Sequence, residues 1–287
     1  MVFQIIRRAT HIKRIHKLLL RYGRLTAFMR VLPDFMIIGS QKCGTTSLYY
    51  HLKQHPNIAY TLVKEVSFFD DKFANGFEWY RSHFPTNAYR YLYRMIHNCN
   101  ILVGEATAGY LFDPHAPGRV SHLLPNAKLI VMLRNPIDRA YSQYQVNVRN
   151  SCEPLSFEDA IAGEEGRIGG EREQLLKDEH YDAAGYRRFS YQSRGIYVDQ
   201  LKVWMELFPK RHFLILRSED YFAAPHLVCN QVARFLDLPE WELKEFAIKN
   251  KGSYDRMTAA TRERLARFFA PHNQRLYEYL GRDFQWD

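Results

Sequence analysis

The chain has 287 residues, 46% of them hydrophobic, with 40 Lys and Arg against 31 Asp and Glu. That is enough apolar material for a sizeable core, and the net charge of +9 favours anionic ligands: nucleotide, nucleic acid, acidic polysaccharide or membrane surface. The cysteines Cys43, Cys99, Cys152 and Cys229 form no C-x-x-C pair, which argues against a disulfide framework or a zinc site. No apolar run reaches the roughly 18–20 residues of a transmembrane helix. The N-terminus lacks the apolar centre of a signal peptide, and the expectation is a soluble, cytoplasmic protein.

Residues 1–32 are expected as a basic N-terminal helical arm, with Ile12, Ile15, Leu18 and Leu19 at helical spacing. The arm either packs on the domain with a solvated basic face or makes weak contact with a membrane surface. A single domain is expected over 33–287. FMIIG (35–39) reads as a buried strand, and Leu48 and Leu52 lie on one face of the helix after it, which His55-Pro56 ends. ILVGE (101–105) and KLIVMLR (128–134) read as further strands. Asn135-Pro136 supplies an N-cap and a first-turn proline for a helix turning Ile137, Tyr141, Tyr144 and Val148 inward. A further helix carries Tyr197, Leu201, Trp204 and Phe208, and strand HFLILR (212–217) follows. Two late helices span about 225–237 and 259–280, the second interrupted at Pro271 and ended by Gly281. The stretch 163–194 is charged and glycine-containing without clear periodicity, and reads as a mobile loop or a lid. Wholly apolar strands alternating with helices imply an α/β fold, a P-loop-like parallel sheet of about five strands covered on both faces.

The loop from Gly39 to Ser47 lies between strand and helix, where first-turn N–H groups lack intrahelical partners and the helix dipole is positive. Gly39 and Gly44 let the backbone curl around an anion. Gln41, Lys42, Cys43, Thr45, Thr46 and Ser47 complete the cradle, the last three with hydroxyl donors. An ordinary strand-to-helix turn would need neither the lysine nor three successive hydroxyls. The common triphosphate loop reads G-x-x-x-x-G-K-[ST]. Here the lysine is Lys42, two residues before the second glycine, and the residue after Gly44 is Thr45. Neither ILVGE nor KLIVMLR ends in an aspartate for Mg²⁺; KLIVMLR ends in Arg134, an anion ligand. This pattern favours a donor handled without metal.

FMIIGSQKCGTTSL resembles the 5′-phosphosulfate loop of the sulfotransferases that use 3′-phosphoadenosine 5′-phosphosulfate (PAPS) and release the bisphosphate PAP. LRNPIDRAYSQY (133–144) is similar to that superfamily's 3′-phosphate motif, with Arg134 and Ser142 at the phosphate-holding positions. NKGSY (250–254) resembles its third nucleotide-contacting region, which implies roles for Lys251, Gly252 and Tyr254 near the 3′-phosphate or adenine. The resemblance runs in order from about Asp34 to the C-terminus. It implies that Lys42 stabilises the leaving oxygen of PAP during in-line sulfuryl transfer, and that Ser142 helps orient Lys42.

KEVSFFDDKFANGFEWYRSHFP (64–85) resembles the acceptor-side segment of the heparan-sulfate and related carbohydrate sulfotransferases, and Glu65 stands where that family has its general base. An alcohol needs such a group to draw off its proton as attack begins. The bland alternative is that Glu65 merely pairs with Lys64 or a loop arginine. His83 and His272 are weaker alternative bases, and Trp79, Tyr80 and Phe84 either line an acceptor cleft or belong to the core. Two departures stand out: Ser67 replaces the histidine of E-x-H-x-x-D, and Glu105-Ala106-Thr107-Ala108-Gly109-Tyr110 lacks the lysine of E-K-T-P-x-Y. They point to a carbohydrate or small-molecule acceptor that is smaller or less anionic than heparan. The C-terminal cysteine pair of the secretory-pathway enzymes is absent, which fits a cytoplasmic, bacterial type. Two other readings compete. One is a P-loop small-molecule kinase, disfavoured by the lysine position. The other is a basic polyanion-binding module, which leaves Gly39–Ser47 and Arg134 unexplained; no nucleic-acid partner is expected.

Overall fold

The computed structural model describes residues 20–246 and 255–286. A helical segment at 20–25 and a 3₁₀ turn, Ala27–Met29, precede the first strand. Strand β1 (Phe35–Gly39) runs through the loop into helix α1 (Thr45–Leu52) and strand β2 (Ile58–Tyr60). Helices α2 (Phe77–Arg81) and α3 (Asn87–His97) precede strand β3 (Leu102–Ala106). Helix α4 (Ala116–Leu123) leads to strand β4 (Lys128–Leu133), and helix α5 (Pro136–Arg149) follows at once. Helices α6 (Phe157–Ala162), α7 (Glu164–Lys177), α8 (Ala184–Phe189) and α9 (Tyr197–Leu207) come before strand β5 (Phe213–Arg217). Helices α10 (Ser218–Ala223), α11 (Pro225–Phe235) and α12 (Ala259–Leu280) finish the described chain.

The strands pair in parallel in the order β2-β3-β1-β4-β5. Side chains alternate across each strand, so both faces of the central strands find an apolar layer. Met36, Ile38, Leu129, Val131 and Leu133 join Leu201 and Trp204 of α9, and Phe208 just after it, on one face. Phe35, Ile37, Ile130 and Met132 join Leu48 and Leu52 of α1 and Val228 and Val232 of α11 on the other. The expected α/β architecture is therefore present. From β1 the chain crosses towards β2, whereas from β4 it crosses towards β5. The order reverses between β1 and β4, and in open parallel sheets the crevice above such a point is where ligands bind.

Several local expectations need correction. Residues 163–194 are not a featureless loop: they contain α7 and α8, with Ile168, Leu175 and Tyr186 in a small core of their own. Three glycines in α7 dilute the apolar period, which hides the helix from a reading of the pattern. Pro271 does not interrupt α12, which continues to Leu280 before Gly281 caps it at φ 65°. Burial of Leu265, Phe269 and Leu276 holds the helix across the missing N–H. In α5 Ile137 is buried as expected, but Val148 is 40% exposed while Arg139, Ser142 and Gln143 turn inward. β2 and α3 had no assignment from the sequence.

Candidate functional site

The loop after β1 is held open by its own backbone. Lys42 and Gly44 have positive φ values of 69° and 93°. At Gly44 a Cβ would come within 2.9 Å of the Phe222 ring, so glycine is required by conformation and by space together. Gly44 is also the N-cap of α1, and a glycine supplies no side-chain acceptor, so the helix start offers its N–H groups to an anion. Ser40 N–H donates to the Met132 carbonyl of β4 at 2.8 Å, and the Ser218 hydroxyl donates to the Cys43 carbonyl. The loop is thus pinned from two neighbouring elements. Thr45, Ser47 and Cys43 are buried, and Gln41, Lys42 and Thr46 are half-buried. Burial raises the Cys43 thiol, which keeps it protonated and inert.

Arg134 follows β4 on the other side of the crevice. Its Nη1 donates to the Lys42 carbonyl at 3.4 Å, and its own carbonyl accepts from the Tyr197 hydroxyl at 2.9 Å. Asn135 caps α5 as expected, accepting from the Ile137 N–H at 3.0 Å. Ser142 sits two turns into that helix, 7% exposed. Burial, followed by the charges of Arg149 and Arg134, pushes the Lys42 ammonium below its ordinary value; Arg139 adds to this and the Cys43 sulfur opposes it. Arg139 is fully buried; it donates to Gln143 Oε1 at 2.7 Å and to the Tyr191 carbonyl. The crevice therefore gathers cations around Lys42. A bound anion is the natural complement of such a cluster.

Glu65 lies beyond the far side of β1, where its N–H donates to the Ala106 carbonyl at the end of β3. Its carboxylate accepts from Lys64 and, at 3.0 Å, from the Ala108 N–H. The pairing with Lys64 exists, yet the side chain remains 42% exposed. Glu65 lines a cavity of about 160 Å³ with Gln41, Asp70, Tyr186, Arg187 and Arg194. A second cleft, about 470 Å³, is lined by Lys42, Gln143, Asn147 and Arg188, and again by Gln41 and Arg187. Gln41 and Arg187 thus form the partition between the lysine side and the glutamate side. The Gln41 Oε1 atom is buried without a hydrogen-bond partner.

Sequence reasoning missed several residues here. Burial, reinforced by Asp113, Asp71 and Glu65 against the Asp71 N–H bond, raises the Asp70 carboxyl to about 7. Arg194 is 3% exposed and lies over the Phe112 ring; burial and then Arg139 lower its guanidinium to about 10. Tyr186, Arg187 and Arg194 all come from the segment read as a mobile loop or a lid. Its density of arginines (Arg187, Arg188, Arg194) was the available signal. Glu105, at the end of β3, is fully buried and accepts from the hydroxyls of Tyr80, Thr107 and Tyr110, each at 2.8 Å. It organises the floor rather than reaching the cavity. His83 is buried with Nδ1 2.9 Å from the Trp79 carbonyl, and His272 packs near Phe268 and Arg275 on α12; neither lines either cavity. Tyr80 and Phe84 belong to the core, with Trp79 packed against it. Lys251, Gly252 and Tyr254, and residues 1–19 of the arm, lie outside the described residues.

The chain is 31% identical to the membrane-associated sulfotransferase kil1 of Dictyostelium discoideum, over 89% of its own length and 66% of that protein's. It is 30% identical to heparan sulfate glucosamine 3-O-sulfotransferase 6 of Mus musculus, over 90% of this chain and 75% of the relative. The crystal structure of a sulfotransferase from Alicyclobacillus acidocaldarius superposes with a TM-score of 0.66 at 30% identity, covering 88% of this chain and 98% of that one. The sulfotransferase domain family matches residues 32–273, and the chain belongs to that family.

Proposed function

We propose that this protein is a PAPS-dependent sulfotransferase that moves a sulfuryl group onto a hydroxyl, or an amine, of a carbohydrate or small-molecule acceptor. The observation that carries this reading is the shared wall of Gln41 and Arg187 between the cleft of Lys42 and the cavity of Glu65. A donor lying along the loop on the lysine side would present its sulfur to an acceptor on the glutamate side.

The residues present suit that donor. The N–H groups at the start of α1 and the hydroxyls of Thr45, Thr46 and Ser47 suit its 5′-phosphosulfate. Arg134 and Ser142 suit the 3′-phosphate, and the family resemblance adds Lys251, Gly252 and Tyr254. As the S–O bond to PAP breaks, negative charge grows on the departing phosphate oxygen, where the Lys42 ammonium stabilises it. As the acceptor oxygen bonds to sulfur its proton passes to the Glu65 carboxylate. Gln41 Oε1, unpartnered in its buried place, is suited to accept from the acceptor before transfer. The cavity mixes Glu65 and Asp70 with Arg187 and Arg194, a lining that matches a polyhydroxyl compound better than an apolar one. The relative named for heparan sulfate supports a carbohydrate acceptor, while Ser67 and Ala106 depart from the heparan pattern and favour a smaller or less anionic one.

The family assignment sets aside the kinase reading. The test is calorimetric titration with PAP and with ATP and Mg²⁺, followed by labelled PAPS against a panel of sugars and phenols. PAP binding without metal and label transfer that falls about 10²–10⁴-fold in Glu65→Gln are expected. Tighter binding of ATP with Mg²⁺ than of PAP would reject the donor, and full turnover in Glu65→Gln would reject the base.

A further inference from the structure

Helix α3 is built inside out. None of its eleven residues is buried. The side of the helix that holds it to the domain is polar: Arg90 pairs with Asp34, and the Tyr93 hydroxyl donates to the Pro56 carbonyl at 2.9 Å. The apolar side chains point the other way, with Tyr91 63%, Leu92 57%, Met95 66% and Ile96 74% exposed. At this spacing they form one stripe along the helix, the face that an ordinary surface helix turns into its core. A second exposed apolar group adjoins it. Leu25 and Phe28 are 75% and 70% exposed. Their segment is joined to the start of α3 by the Arg30–Thr86 bridge and by the Val31 N–H bond to the Pro85 carbonyl at 3.0 Å.

The charge carried by these two segments has one sign. From Thr86 to Asn100 the chain carries the exposed Arg94, besides Arg90 paired with Asp34, and no acidic residue. From Leu20 to Pro33 it carries the exposed Arg21 and Arg24 and the buried Arg30, and again no Asp or Glu. A second copy of the chain would bring like charges together on such a face. An anionic lipid surface meets both features, because apolar and tyrosine side chains enter the headgroup boundary while Lys and Arg remain at the phosphates.

We infer that α3, with the adjoining Leu25–Phe28 segment, is a membrane-docking face that seats the protein on anionic lipid bilayers. The inference rests on surface chemistry and does not depend on the donor or acceptor.

The full chain should sediment with vesicles of phosphatidylcholine containing phosphatidylserine and remain in solution with phosphatidylcholine alone, and salt should weaken binding. The double variant Leu92→Ser/Ile96→Ser should keep its melting temperature and lose about tenfold in vesicle partition. In Ile96→Trp, the new indole should shift its emission to the blue on serine-containing vesicles. Absence of binding by the wild-type chain overturns the proposal. So does equal partition by the double variant, which would assign binding to the basic arm alone. A double variant that changes oligomeric state and leaves partition unaltered overturns it as well.

Discussion

Arg134 Nη1 donates to the carbonyl oxygen of Lys42 at 3.4 Å, tying the end of β4 to the loop that follows β1. The two cations belong to loops that leave neighbouring parallel strands at the point where the sheet order reverses. Burial first, and then the charges of Arg149 and Arg134, depress the Lys42 ammonium. On the function proposed above, an anion between these cations would offset their mutual repulsion.

Arg134→Ala should therefore weaken PAP binding more than it slows chemistry. A charge-assisted hydrogen bond contributes about 1.5–3 kcal/mol, or roughly ten- to a hundredfold in KM for PAPS. Calorimetry with PAP and initial rates at varied PAPS separate the two effects. A loss confined to kcat would contradict the assignment.

Lys42→Ala should act the other way, lowering kcat by about 10²–10³ with a smaller change in PAP affinity. Lys42 sits at φ 69°, a region that disfavours residues with a Cβ by about 1–2 kcal/mol. Lys42→Gly should consequently melt higher than wild type while turning over as slowly as Lys42→Ala. Thermal melts alongside rates would show stability and turnover moving in opposite directions.

Gly44→Ala meets two obstacles, the φ of 93° and the Phe222 ring at 2.9 Å. A loss of about 1–3 kcal/mol is expected from the backbone alone, together with impaired PAP binding. Adding Phe222→Ala should recover the steric part and leave the conformational part. Chemical denaturation of the single and double variants tests this; complete recovery would mean that the backbone is unstrained.

Glu105 gives a pH signature of folding. Burial outweighs the three hydroxyl donors and raises its carboxyl from the ordinary 4.5 to about 7. Between those values the folded protein holds a proton that the unfolded chain has released. The contribution is complete below pH 4.5 and is lost as pH rises through about 7. In Glu105→Gln that dependence vanishes, so the melting temperature of wild type minus that of the variant should fall between pH 5 and 8, roughly. Melts across that range at constant ionic strength measure it, and a flat difference would show that Glu105 does not change its protonation there.

Much of the fold around the Gly39–Ser47 loop was legible because it is local. A strand of five apolar residues, a glycine loop, successive hydroxyls and Asn135-Pro136 before a helix each define their structure within a few residues of chain. The four strands read from the sequence match β1, β3, β4 and β5 to within a residue or two. By contrast β2, three residues long, has too little pattern to read, and the glycines of α7 conceal a helix that packing stabilises.

The sequence by itself determined the α/β architecture, the strand–loop–helix unit at Gly39–Ser47 and the family of this protein, since these depend on short-range spacing and backbone preference. Only the tertiary structure decided that Arg187 and Arg194, more than a hundred residues from the loop, share cavities with Gln41. It alone decided that Asp70 and Glu105 are buried far enough to raise their carboxyls to about 7. It also turned the apolar stripe of α3 towards solvent. Burial and charge proximity arise from strand order and helix docking, and no local run of residues encodes them.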